Sequence, residues 1–314
     1  MNLIRKTGQR HSSERDFILP ETTYHYVAVE DCLNLLRQIP SDSIQLVICD
    51  PPYNLEIAAW DHLPNYTAWA SDWIEEVVRV LSPTGSFILF GGTQYQNETG
   101  GDLLELMHYI RHETPLILIN VVIWYYRNGM SAHRFFANRH EEIVWYAKTK
   151  KYTFNLDEVR VPFDEETKQI YLNDKRLNRD SVEKGKNPTN VWEIHRLNAN
   201  SIERVGHPTQ KPIELIRRFV RALSCPNDVV LDFFAGSGTT TRVCIEEGRH
   251  SVCGDIDDGL PQSLQQHIAK PGFSFQIPYK LLDKTNQHEH PLFKQSVVPD
   301  PESIGQESWP KGLS

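Results

Sequence analysis

Cysteine is scarce in this chain: five residues, Cys32, Cys49, Cys225, Cys244 and Cys253, odd in number and widely spaced. With no Cys-x-x-Cys pair and no histidine at zinc-ligand spacing, neither a disulfide scaffold nor a zinc site is expected. Long hydrophobic runs are missing too. The longest, such as Leu116 to Tyr126, contains Asn120 and stops well short of the roughly 20 residues that span a bilayer, which excludes a membrane-spanning helix. Met1 to Arg10 is polar and basic and lacks the apolar stretch of a secretory signal, so a cytoplasmic location is expected. There is no internal repeat or low-complexity tract. Positive charge is in the minority, 33 Lys and Arg against 41 Asp and Glu for a net charge of −8, which speaks against a general nucleic-acid coat protein.

Aromatic residues, in contrast, are plentiful. Seven Trp, 12 Tyr and 13 Phe within a 39% hydrophobic composition supply the apolar surface that a disordered chain lacks. A length of 314 residues suits one large domain, or a catalytic domain with a sizeable insertion. The charge is also uneven: Tyr125 to Lys211 holds 16 Lys and Arg against 12 Asp and Glu, and the rest of the chain is strongly acidic. That segment could face phosphates, or could be an ordinary solvated surface.

Patterning alternates between strand and helix. Tyr24 to Asp31 reads as a strand, Cys32 to Ile39 as a helix and Ser43 to Cys49 as a buried strand. Tyr66 to Leu81 predicts a helix ended by Pro83 and Gly85, followed by a strand at Ser86 to Phe90. A helix at Gly100 to Arg111 and strands at Leu116 to Tyr126 and Glu141 to Lys148 come next. From Tyr152 to Arg204 the chain is polar and irregular, as an insertion into an α/β protein would be. A strong helical pattern returns at Pro212 to Leu223, then a strand at Asp228 to Phe233, a helix at Thr239 to Glu247 and a strand at His250 to Cys253. Beyond Pro261 the pattern fades, and from about Asp283 the sequence reads as a loosely held tail.

Two motifs carry chemistry. Asp232-Phe233-Phe234-Ala235-Gly236-Ser237-Gly238-Thr239 joins a buried strand to a helix through a glycine turn, where the backbone can approach a ligand closely. Asp255 ends the next strand, nineteen residues after Gly236, where a carboxylate can accept ribose hydroxyls. No Lys follows Gly238, so this is not a P-loop, and Thr241 stands where a dinucleotide site would have its third glycine. With Asp232 before the turn, the site suits a nucleoside bearing a cationic amino-acid arm, such as S-adenosylmethionine. A purely structural turn is the alternative.

The second motif, Asp50-Pro51-Pro52-Tyr53, follows a strand that the prolines cannot continue. Methylating an exocyclic amine, whose lone pair is delocalised into its ring, calls for hydrogen acceptors rather than a strong base. The Asp50 carboxylate and the Pro51 carbonyl can each accept one amino hydrogen, and the prolines leave little entropy to lose. Tyr53 offers a ring for stacking. An amine inside a duplex is reachable only if its nucleotide is flipped out. Alone, Asp-Pro-Pro is also an ordinary turn.

Asp50 to Tyr53, His207-Pro208-Thr209-Gln210-Lys211-Pro212 and Asp232 to Thr240 together resemble the catalytic, cofactor-arm and cofactor-loop motifs of DNA amino-methyltransferases. With the catalytic motif first, their order resembles the circularly permuted β class, and Asn138 to Ile143 and Asn187 to Trp192 resemble its RsrI-like adenine branch. The resemblance covers about Tyr24 to Asp257 and implies a permuted Rossmann-like α/β fold, mostly parallel with an antiparallel edge strand. It implies roles for Asp50, Pro51, Pro52 and Tyr53 in catalysis. It also implies cofactor contacts from Asp31, Cys32, Asp50, His207, Thr209, Lys211, Pro212, Asp232, Phe233, Phe234, Ala235, Gly236, Ser237, Gly238, Thr239 and Asp255.

The expected activity is S-adenosylmethionine-dependent methylation of adenine N6 in a short, palindromic duplex DNA site, protecting host DNA in a type II restriction-modification system. Asp rather than Ser at position 50 is the adenine-type pattern; a cytosine-N4 enzyme and an inactive DNA-binding regulator are the alternatives. Expected boundaries are 1–124 for the catalytic half, 125–206 for closing strands and target recognition, 207–270 for the cofactor half and 271–314 for a C-terminal extension. Arg134, Arg139, Arg176, Arg179, Lys184, Lys186 and Arg196, together with Arg204, are candidate DNA contacts. A homodimer, and a cognate restriction endonuclease that shares the site without binding the chain, are compatible with the sequence but not fixed by it; no metal is expected.

Overall fold

The computed structural model describes residues 17–54, 63, 65–93, 103–129, 133–134, 136–270, 275 and 277–294. The chain opens with β1 (Thr23–Val29), α1 (Cys32–Gln38), β2 (Ile44–Cys49), α2 (Tyr66–Val80), β3 (Leu81–Gly91) and α3 (Leu103–Glu113). β4 (Ile117–Tyr125) and β5 (His140–Ala147) follow, then α4 (Glu165–Asn173), α5 (Arg179–Glu183) and β6 (Val191–Glu193). The last part holds α6 (Ile213–Leu223), β7 (Val229–Asp232), α7 (Thr239–Glu247), β8 (His250–Asp255), α8 (Leu260–Ala269) and β9 (Tyr279–Leu282).

β2 shows why a sheet forms here. All six of its residues are buried, as a central strand covered on both faces requires. Val47 and Cys49 point into a core shared with Leu35, Leu36, Trp73 and Ile74 of α1 and α2, whereas Leu46 and Ile48 point into a second core with Leu215, Ile216 and Phe219 of α6. α2 and α6 bury residues at three- and four-residue spacing, such as Ala70, Trp73, Ile74 and Val77 in α2, so each presents one apolar face to the sheet.

Nine strands form one sheet in the order β6-β4-β5-β3-β2-β7-β8-β1-β9. β5 runs antiparallel to both β3 and β4, and every other pairing is parallel. The expected antiparallel strand is therefore present, set in from the edge by β4 and β6. No described helix is long and apolar enough to cross a membrane.

The polar stretch after Tyr152 contains more structure than its pattern conveys. α4 buries no residue completely, which is why it leaves no hydrophobic period, while β6 is anchored by Trp192 against Phe219 at 4.7 Å. The pattern also continues past Pro261, which takes a first-turn position of α8, where proline is tolerated. β9 then adds parallel to β1. Leu292 and Phe293 are buried, the latter edge-on to Tyr26 at 5.5 Å, so the tail is held at least to Lys294. Two apolar residues give no readable period; their anchorage is tertiary.

Candidate active site

Sheet register brings the two motifs together. β2 and β7 are hydrogen-bonded neighbours, with Leu46 opposite Val230 and Val47 opposite Leu231, so Asp50 and the glycine turn emerge side by side at the carboxyl ends of their strands. Asp232 lies opposite Cys253 in β8, and Val29 of β1 lies opposite Asp255. Four strand tips thus open onto one cavity of about 880 Å3. Asp31, Cys32, Asp50, Pro51, Pro52, Tyr53, His207, Thr209, Lys211, Asp232 to Ser237, Thr239 and Asp255 all line it. Pro212 and Gly238 do not; Pro212 is the N-cap of α6, and Gly238 is the N-cap of α7 with φ +77°.

On one side the turn and its supports form a cradle. Asp255 accepts hydrogen bonds from the backbone N–H of Gly236 at 2.8 Å and of Asp257 at 3.0 Å, which orients its carboxylate at the cavity wall. Gly236 has φ +49°, and a Cβ there would stand 2.8 Å from the His207 ring, so only glycine fits. Burial lowers the His207 imidazole below its ordinary value, against the opposing pull of Asp255 and Asp50. Asp232 is buried, accepts from the Thr240 hydroxyl at 2.6 Å and from Phe234 N–H at 3.3 Å, and is pushed by burial up to about 7. Asp31 is occupied as the N-cap of α1, accepting from Leu33 N–H at 2.9 Å and Asn34 N–H at 3.3 Å. The cavity's size, the glycine-only approach at Gly236 and the carboxylate at the tip of β8 fit a nucleoside with an amino-acid arm.

On the other side stands Asp50, with both carboxylate oxygens engaged. Oδ1 accepts from the Tyr53 hydroxyl at 2.7 Å, and Oδ2 accepts from the Lys211 ammonium at 2.6 Å. The Pro-Pro loop is pinned from below, where the Tyr66 hydroxyl donates to the Pro52 carbonyl at 2.8 Å and Asn54, at φ +54°, is clamped to Leu63 by two hydrogen bonds. Lys211 Nζ also lies 5.5 Å from the Tyr53 ring centroid, 5.3 Å from that of Phe90 and 3.9 Å from Glu141 Oε2. Burial alone would lower the Lys211 ammonium, but the Asp50 and Glu141 carboxylates overcome it and hold it above the usual lysine value. Glu141 moves up from the ordinary carboxylate range because it is buried, with Lys211 pulling the other way.

The basic candidates divide. Arg196 lines the cavity, its guanidinium 5.1 Å from the Tyr126 ring centroid, and Arg204 lines it too, donating to the His207 carbonyl at 3.1 Å. Arg134 and Arg179 are exposed. Arg176 is paired with Asp174 at 2.6 Å, Lys184 with Asp157 at 2.5 Å, and Lys186 lies over Phe163. Arg139 is partly buried beside Gly129. Sequence reasoning gave no role to Glu141, Phe90 or Trp69, all at the cavity wall. Glu141 belongs to the Asn138 to Ile143 motif, yet nothing in that hexapeptide says which carboxylate turns inward.

Residues 44–266 match a family model described as DNA methylase. The chain is 37% identical over 231 residues to the type II methyltransferase M.BglII of Bacillus subtilis, covering 72% of this chain and 64% of that protein. The match thus spans a little under two thirds of M.BglII. The DNA adenine methyltransferase YhdJ of Escherichia coli K12 is 32% identical over 232 residues, covering 71% of this chain and 75% of that one. Among solved structures, the PvuII DNA methyltransferase, described as cytosine-N4-specific, superposes with a TM-score of 0.60 at 20% identity, covering 82% of this chain and 91% of the other.

Proposed function

The chain belongs to the DNA methylase family, and we propose that it methylates the 6-amino group of an adenine in a short duplex DNA site, with S-adenosylmethionine as donor. The observation that carries this reading is the single cavity in which Asp50 and the glycine turn face each other from adjacent strand tips. When bound, S-adenosylmethionine supplies an electrophilic methyl group on a positively charged sulfur. Asp255 accepts ribose hydroxyls, the Phe234 to Ser237 turn lies along the nucleoside, and the His207 to Lys211 segment flanks the amino-acid arm.

The Asp50 carboxylate and the Pro51 carbonyl accept the two hydrogens of the target amine and direct its lone pair at the methyl group. The Tyr53 hydroxyl fixes the carboxylate's orientation beforehand through Oδ1, while the Lys211 ammonium holds Oδ2 in the ligand-free cavity. The Tyr53 ring stacks on the flipped base, which offsets part of the unstacking cost of about a few kcal/mol. Residues 125–206 serve as the target-recognition region, with the basic residues of that segment on phosphates and base edges. The likeness to M.BglII, which is named a type II methyltransferase, supports a role in restriction-modification.

Adenine is favoured by Asp at position 50 and by the likeness to YhdJ. A cytosine-N4 reading is favoured by the fold shared with the PvuII enzyme. Incubation with isotopically labelled S-adenosylmethionine and genomic DNA, followed by hydrolysis and mass spectrometry, separates them. Labelled N6-methyldeoxyadenosine is the expected product. Labelled N4-methyldeoxycytidine would overturn the adenine assignment, and no labelled nucleoside from any DNA would point to a regulator.

A further inference from the structure

The target amine finds Asp50 already occupied. Its Oδ1 accepts from the Tyr53 hydroxyl at 2.7 Å and its Oδ2 from the Lys211 ammonium at 2.6 Å, so an arriving amine hydrogen either shares an oxygen with a donor already in place or takes the place of the ammonium. A displaced ammonium whose side chain is only 11% exposed needs another acceptor, because a mostly shielded charge left unpaired is unfavourable. Glu141 stands ready for this. Sheet register puts it at the start of β5, opposite Trp124, with its neighbour Glu142 opposite Gly91 at the end of β3. Its Oε2 is buried, has no hydrogen-bond donor among the described residues, and lies 3.9 Å from Lys211 Nζ. The Tyr53 and Phe90 rings flank the ammonium at 5.5 and 5.3 Å, so a short swing keeps it against aromatic faces that favour a cation.

We propose that Glu141 is a positioning residue that takes the Lys211 ammonium from Asp50 when the exocyclic amine arrives, freeing Asp50 Oδ2 to accept the amine hydrogen. This rests on the amine-methylation reading above. No covalent bond changes and the proton stays on Lys211: one N–H···O hydrogen bond moves from Asp50 to Glu141, and the amine N–H fills the place it leaves. Two carboxylates and one ammonium are present before and after, so the exchange brings no new charge into the cavity. A Glu141 that served only to neutralise Lys211 would not have this dependence on the arriving amine.

The test is a double-mutant cycle on plasmid DNA whose methylated site has first been mapped with the wild type. Glu141→Gln lowers kcat about tenfold or more while cofactor Kd, measured by calorimetry, stays within about twofold, and in a Lys211→Met background the same change alters kcat by less than about twofold. An equal loss in both backgrounds, or no loss in the first, overturns the exchange. A crystal structure with the non-reactive analogue sinefungin and duplex DNA gives a readout independent of turnover. Lys211 Nζ within about 3.2 Å of Glu141 and withdrawn from Asp50 supports it, and Nζ still seated on Asp50 overturns it. A wild type that methylates cytosine leaves the exchange intact, since cytosine offers the same kind of amine, whereas a wild type that methylates no DNA fails the enzymatic reading itself.

Discussion

Replacing Gly236 with alanine probes the proposed cofactor cradle at a single atom. At φ +49° the backbone lies in the left-handed region, which costs a residue with a Cβ about 1–2 kcal/mol. The added Cβ would also stand 2.8 Å from His207 Cε1 and 3.1 Å from Nε2. That ring has little room to retreat, since its Nδ1 lies 3.3 Å from the Thr209 hydroxyl and its carbonyl is held by Arg204. Overpacking of this kind adds about 1–3 kcal/mol. Without ligand the variant can relax its turn, so much of the combined penalty falls on binding, where the cradle must be rebuilt. Calorimetry with S-adenosylmethionine should show affinity weakened at least about tenfold, the equivalent of 1.4 kcal/mol, with DNA affinity unchanged. The same substitution should cost less in a His207→Ala background, where the ring is gone and only the backbone penalty remains. Cofactor affinity within about threefold of wild type would refute the argument; equal losses in both backgrounds would refute its steric half.

Asp50→Asn keeps the side chain's shape but removes the charged acceptor, and should lower methyl transfer by about a hundredfold to a thousandfold, with a smaller effect on cofactor affinity. Near-normal turnover in a tritiated-methyl assay would end the assignment. Stability should be acid-sensitive through His250 and His290, whose rings lie 5.9 Å apart and which burial lowers to about 4 and about 3 respectively. Both are neutral in the folded protein, so their contribution is complete above the unfolded value of about 6.5 and is lost as pH falls from there towards the folded values, at up to about 1.4 kcal/mol per pH unit each. Urea unfolding at pH 7, 6 and 5 should show that slope, and a His250→Gln/His290→Gln variant with the wild-type slope would refute it. Reversing Arg134, Arg179 and Lys186 to Glu should weaken DNA binding and flatten its log-log salt dependence by about 0.9 for each phosphate that is no longer neutralised. An unchanged slope with three charges reversed would exclude these residues from the DNA face.

What was legible in the sequence was whatever repeats locally. β2 announced itself as an unbroken apolar run, α6 as a helical stripe, and the two motifs as short strings whose residue types fit one chemistry. α8 and β9 did not, because Leu260, Leu264 and His267 are too sparse to make a convincing period, and Leu282 is the one fully buried residue of β9. Lys211 shows the limit most sharply. Its hexapeptide resembles a cofactor-arm motif, yet its ammonium sits on Asp50, a partner 161 positions away that the packing of α6 beneath β2 brings near. Glu141 is the same case from the other side of β3.

The Asp50–Lys211 pair also says something about what the cavity was shaped for. The Lys211 and Asp50 side chains are 11% and 20% exposed; a pair so far withdrawn from water seldom returns more than its desolvation costs, and well-packed apolar residues in its place are often as stable or more so. The cores on either face of β2 already hold the fold: Leu46, Ile48, Val47 and Cys49 are almost completely buried without any help from the pair. The ion pair's contribution therefore lies in orientation rather than in stability. It fixes one carboxylate oxygen at the tip of β2 through a lysine just ahead of α6, the helix packed beneath that same strand. Asp50 and Lys211 are 161 positions apart in sequence, and their ion pair ties the tip of β2 to the start of α6 at the wall of the cavity they share.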